Sequence, residues 1–147
     1  MKPITRRILQ AIFYEIGAIA LTSPIIGFAF NASASSAIAL AAIMSTIALA
    51  WNYIFNAIFE RWESRQIVKR RSIWRRLAHG IGFEGGLVMM LVPLLAFWLN
   101  ISFFDAFIAE LGLLLVFFVY AILFTWAFDK IFGLPESALP HHQQSNN

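Results

Sequence analysis

The chain has 147 residues, of which 60% are hydrophobic and 13% charged, and its mean hydropathy is +0.72. A soluble domain is about 45–50% apolar and about a quarter charged, so this chain lacks the polar surface to cover itself in water, and its length allows one compact unit. With no cysteine, disulfides, thiol catalysis and cysteine-ligated metals are excluded. A net charge of +3 fits nucleic acid only until the charges are placed. All eleven Lys and Arg fall at Lys2–Arg7, Arg61–Arg76 and Lys130, with none in 8–60 or 77–129. Basic clusters flanking long apolar stretches follow the positive-inside rule, not a nucleic-acid footprint.

About 20 apolar residues cross a bilayer, and the first such segment runs from Ile8 to Phe30. Lys2, Arg6, Arg7 and the small residues Ala32-Ser33-Ala34 imitate a signal peptide, but the stretch exceeds an h-region and contains Glu15, so it reads as a retained span. Glu15 lies eight positions past Arg7, about 12 Å along a helix, which puts its carboxyl inside the hydrocarbon. After a turn at Asn31–Ser36 the second span covers Ala37 to Phe59. It carries Trp51, and Asn52, Asn56 and Glu60 share one face at i, i+4, i+8. The connector Glu60–Arg76 holds seven basic residues and is placed in the cytoplasm, with both termini on the same side. The third span, Leu77 to Leu99, carries His79 and a second intramembrane acid, Glu84, among glycines. Ala78, Gly82 and Gly86 form a small-xxx-small seam that predicts close helix packing. A turn at Asn100–Asp105 leads into the fourth span, Ala106 to Phe128. Glu110, nearer its outer end, reads either as an outer-gate carboxylate or as a water-exposed residue one turn in from the surface. Asp129 closes the span, and a tail with His141 and His142 reads as a flexible cytoplasmic segment rather than a metal site.

Shifted by 69, the sequence matches itself without a gap: Arg6 on Arg75, Arg7 on Arg76, Glu15 on Glu84, Gly17 on Gly86, Pro24 on Pro93, Asn31 on Asn100, and Glu60 on Asp129. Each unit holds two spans, so both enter the membrane in the same orientation, as in parallel transporter repeats. The predicted fold is an all-α membrane protein of four transmembrane helices, two tandem helical hairpins with N and C termini inside. The first hairpin is 6–60, the connector 61–74, the second hairpin 75–129 and the tail 130–147.

An intramembrane carboxylate costs at least about 2.5–3.5 kcal/mol to insert, so it must face protein or water or carry a proton. A group that holds a proton or an organic cation, but not both, is the core of an exchanger. Interhelical hydrogen bonding is the competing structural role. Glu60 and Asp129 read equally well as interfacial carboxylates, paired with Arg7 and Arg76 or not. No phosphate loop, metal-ligand cluster or nucleophilic triad is visible, so the chain does not read as an enzyme.

Four motifs stand in order: R-x-x-Q-A-x-x-Y-E at Arg7–Glu15, W-N-x-x-F-N-x-x-F-E at Trp51–Glu60, R-x-x-H-G-x-x-F-E-G-G at Arg76–Gly86, and F-x-W-x-F-D at Phe124–Asp129. The arrangement resembles the proteobacterial antimicrobial compound efflux family. The resemblance implies an inner-membrane, multi-pass exporter of cationic biocides and short diamines, driven by proton entry, with no cofactor and with self-association as a homodimer. It maps the proton- and substrate-linked glutamate onto Glu15. Gln10 stands where the family commonly has His, and Thr125 where Asn is common. The expected working residue is therefore Glu15, supported by Glu84, Asn52, Asn56, Tyr14, Trp51 and His79. The alternative is a non-transporting membrane scaffold, in which the polar residues serve only packing.

Overall fold

A computed structural model describes residues 2–67 and 72–134. Lys69, Arg70 and Arg71 of the connector, and residues 135–147 with His141 and His142, lie outside the described residues. Four helices follow one another: α1 Pro3–Phe30, α2 Ala34–Ser64, α3 Ile73–Leu99 and α4 Phe103–Phe132. All four are long and apolar enough to cross a membrane. They overrun the expected spans by several residues, mostly at the ends away from the tight turns. A helix satisfies its own backbone groups, so it continues through the interfacial region after the apolar run has ended.

The two turns are three residues each and share one construction. Asn31 and Asn100 take left-handed backbone angles, φ 51° and 54°, and asparagine tolerates this region better than most residues. The amides of Ala32 and Ile101 reach back to the carbonyls of Gly27 and Ala96. Ser33 and Ser102 then cap α2 and α4, their hydroxyls accepting from the amides of Ser36 and Asp105. Every one of these pairs is 69 residues apart, so the repeat extends to hydrogen bonds.

Around the bundle α1 packs on α2, α2 on α3, α3 on α4, and α4 returns to α1 along the sparsest seam. The tightest packing is at the turn end, where Ile26 and Leu95, and Ala37 and Ala106, are buried as equivalent pairs. Large apolar side chains such as Phe28, Tyr53, Met89 and Phe97 point outward, as lipid-facing residues do.

The hairpins are joined by two equivalent hydrogen bonds. Trp51 Nε1 of α2 donates to the Phe83 carbonyl of α3 at 2.9 Å, and Tyr120 Oη of α4 donates to the Tyr14 carbonyl of α1 at 2.9 Å. Beneath each ring lies a glycine, Gly86 under Trp51 and Gly17 under Tyr120, where a Cβ would collide with the ring. The expected small-residue seam is thus present at Gly82 and Gly86, but it receives the rings of Phe55 and Trp51 rather than another backbone, while Ala78 is exposed.

At the opposite end, Arg6 of α1 pairs with Asp129 of α4 at 2.5 Å and also donates to the Gly133 carbonyl at 2.9 Å. Arg7 and Arg76, the residues read as partners of the two carboxylates or as free of them, are exposed, and it is Arg6 that holds Asp129. Adjacent helix positions point about 100° apart, and Arg6 is the one on the α4 side.

Candidate functional site

Between the four helices lies a cavity of about 470 Å³, within the usual range for small-molecule sites. Its wall follows the repeat. Tyr14, Glu15, Ala18, Thr22, Ala41, Ser45, Ala48, Leu49 and Asn52 of the first hairpin face it, and so do their equivalents Phe83, Glu84, Leu87, Leu91, Glu110, Leu114, Phe117, Phe118 and Ala121 of the second. The chamber therefore straddles a near-twofold relation between the hairpins. Its two halves differ in chemistry: the first carries the hydroxyls and amide of Thr22, Ser45 and Asn52, whereas the second has Leu91, Leu114 and Ala121 at the positions that mirror them, and Leu87 and Phe117 where the first has Ala18 and Ala48.

Glu15 is partly buried on α1 and accepts a hydrogen bond from the Ser45 hydroxyl of α2. Glu84 occupies the equivalent place on α3, but Leu114 replaces the serine, and Glu84 Oε2 is buried without a hydrogen-bond partner among the described residues. Glu110 is the most enclosed acid. It is 4% exposed, lines the cavity from α4, and its Oε2 likewise lacks a partner. The reading of Glu110 as a water-exposed residue near the surface is overturned. Residue 110 falls two turns into α4 on the inward face, opposite its repeat-mate Ala41. Thr22 Oγ1 is the third buried cavity oxygen without a partner. Buried polar atoms are normally satisfied, and here the three residues that carry such oxygens, among the described residues, line one chamber.

Of the expected site residues, Glu15, Glu84, Tyr14 and Asn52 come together on the cavity wall. Asn56, His79, Trp51, Glu60 and Asp129 do not line it. Asn56 Nδ2 donates to Asn52 Oδ1 at 2.8 Å, and its own Oδ1 lies 2.8 Å from His79 Nε2. An amide oxygen only accepts, so His79 donates through Nε2. The result is a polar chain from the cavity toward the connector end, flanked by Phe55 and Phe59 against the His79 ring. Trp51 acts as the inter-hairpin strut described above, Glu60 is exposed, and Asp129 is held by Arg6. Ser45 and Thr22 went unread as site residues, and Glu110 was left between an outer-gate carboxylate and a water-exposed residue. Ser45 and Thr22 carry no signal among the many small residues of the spans, whereas Glu110 was visible as an acid in an apolar run.

An acid-lined chamber inside four spanning helices, built from two copies of a hairpin, defines a small multi-pass membrane transporter. The chain matches the family described as chlorhexidine efflux transporter over residues 2–65 and again over 71–134, two matches offset by the same 69 residues. It is 37% identical over 126 residues to a short-chain diamines transporter of Vibrio parahaemolyticus, covering 85% of this chain and 89% of the relative. Proteins of the same description from Acinetobacter baylyi and Acinetobacter baumannii are 32% and 36% identical over 126 residues, covering 86% of this chain and 89% and 87% of theirs. No solved structure matches the chain. The chain belongs to the chlorhexidine efflux transporter family. It is an efflux transporter of a bacterial membrane.

Proposed function

We propose that the protein exports organic cations, both chlorhexidine-type biocides and short-chain diamines, across the bacterial inner membrane in exchange for protons. The observation that carries this is Glu15, a carboxyl deep in a span, on the wall of a chamber that is polar on one side and apolar on the other. The carboxyl binds the cation when ionised and releases it when protonated, so each proton entering displaces cargo. The basic connector and the Lys2–Arg7 cluster set the connector end in the cytoplasm by the positive-inside rule. The Asn52–Asn56–His79 chain then leads from the cytoplasmic side toward Glu15. Tyr14, Phe83 and Phe117 supply ring faces and apolar wall for a cationic guest. Self-association as a homodimer belongs to the same reading.

The test is proton-driven export by protein reconstituted alone in liposomes. Wild type is expected to move an organic dication against its gradient when a pH gradient is imposed, and Glu15→Gln is expected to abolish this while keeping its helix content. Export by the variant at the wild-type rate would sink the mechanism. A scaffold would fail to move the cation in either form.

A further inference from the structure

The acids of the cavity lie at two levels. Glu15 and Glu84 are each fifteen residues short of the turn-end terminus of their helices, Phe30 and Leu99, or about 22 Å along the axis. Glu110 is seven residues past Phe103, about 10 Å from the same end. Thr22, eight residues before Phe30, is level with it at about 12 Å. The upper level has no second acid, since the repeat-mate of Glu110 is Ala41. Its oxygens, Glu110 Oε2 and Thr22 Oγ1, are both buried and both without a partner among the described residues, and the two residues that carry them line the cavity. At the lower level Glu15 has its serine, while Glu84 Oε2 has no partner among the described residues.

Resting on the export of organic cations proposed above, we infer that Glu110 and Thr22 form a second ammonium-binding station in the chamber. An α,ω-dication then lies along the bundle axis with one end at Glu15 and the other at Glu110. An ionised carboxylate at this depth requires a counter-charge, and a second ammonium group supplies it. The apolar residues between the levels, Leu87 and Leu91 among them, cover the hydrocarbon linker. Glu84 lines the same wall from the second hairpin, at the level of Glu15. A monocation of the same skeleton, held at Glu15, would leave Glu110 without a counter-charge, so the two stations select for two charges and for a particular spacing.

The probes are a series of α,ω-diaminoalkanes and the 1-aminoalkanes of equal chain length, titrated against the full chain in lipid nanodiscs at fixed pH. Glu110→Gln is expected to lower the preference for diamine over monoamine about tenfold or more, as loss of one partner in a buried charge pair does. Glu110→Asp withdraws the carboxyl by one methylene and is expected to move the optimal diamine to a longer chain. Preference retained in Glu110→Gln, or an equal loss for both ligand series, overturns the inference. Should Glu110→Gln fail to fold, the Asp variant decides, and an unmoved optimum overturns it. Glu15→Gln separates this result from the antiport reading. If that variant transports normally the antiport reading fails, while the Glu110 comparison, made at equilibrium without a pH gradient, still stands or falls by itself.

Discussion

Ser45 sets Glu15 apart from its duplicate. The hairpins give both glutamates the same depth, but only one receives a hydroxyl, because position 114 is leucine. A hydrogen bond to a charged group contributes about 1.5–3 kcal/mol, so Ser45→Ala is expected to slow export about tenfold or more in proteoliposomes with circular dichroism unchanged. Equal rates for Ser45→Ala and wild type would show that Glu15 works without its neighbour. The turn asparagines make a second residue-scale prediction. Asn100→Ala keeps the β-carbon in the left-handed region but loses the short polar side chain that eases it there, and is expected to lower stability by about 1 kcal/mol, whereas Asn100→Gly is expected to keep the melting temperature in detergent. Glu15 was legible because an acid deep in an apolar run has few explanations. Glu110 was equally visible but misjudged, since sequence gives an acid's distance along a helix and not which face turns inward.

At the scale of helices, the glycines of α3 look alike in sequence and differ in the fold. Gly86 seats the Trp51 indole, while nothing lies within contact of Gly85 or Gly80. Overpacking a filled site costs about 1–3 kcal/mol. Gly86→Ala is therefore expected to lower the thermal midpoint and to weaken the α2–α3 seam, and Gly85→Ala to leave the midpoint unchanged or raise it. Trp51→Phe keeps the ring and loses the bond to the Phe83 carbonyl, for an expected loss of about 0.5–1.5 kcal/mol. Four long apolar segments announced the helices, and the self-match at a shift of 69 announced the repeat. The struts were hidden because their acceptors are main-chain carbonyls of Phe83 and Tyr14, and a backbone acceptor leaves no mark on residue identity. The polar face of α2 was readable at its spacing. That it divides, with Asn52 on the chamber and Asn56 on His79, depends on where α3 packs.

In the whole molecule, three of the four helix seams are joined by chain connections and one is not. The α1–α4 seam has the fewest contacts, and side chains alone close it. Near the connector end these are the Tyr120–Tyr14 bond, the stacked Phe13 and Phe132 rings with centroids 6.3 Å apart, and the Arg6–Asp129 pair, whose side chains are only 12% and 25% exposed. An ion pair so enclosed couples its partners more strongly than one in open water, and removal of one partner leaves the other buried and unpaired. Arg6→Ala and Asp129→Ala are each expected to lower the thermal midpoint. Their double variant should lose less than the sum, with a coupling of about 0.5–3 kcal/mol. The reversed pair, Arg6→Asp with Asp129→Arg, is expected to recover part of the midpoint, while Lys2 and Arg7 are left unchanged. If the double variant is simply additive, the pair does not hold the seam, and closure rests on the Tyr120–Tyr14 hydrogen bond and the aromatic contacts. The site depends on this seam because Tyr14 and Glu15 on α1 and Glu110 on α4 reach one chamber only when α1 and α4 are held together. Stability and dication binding are therefore expected to fall together across the Arg6 and Asp129 variants, although neither residue touches the cavity.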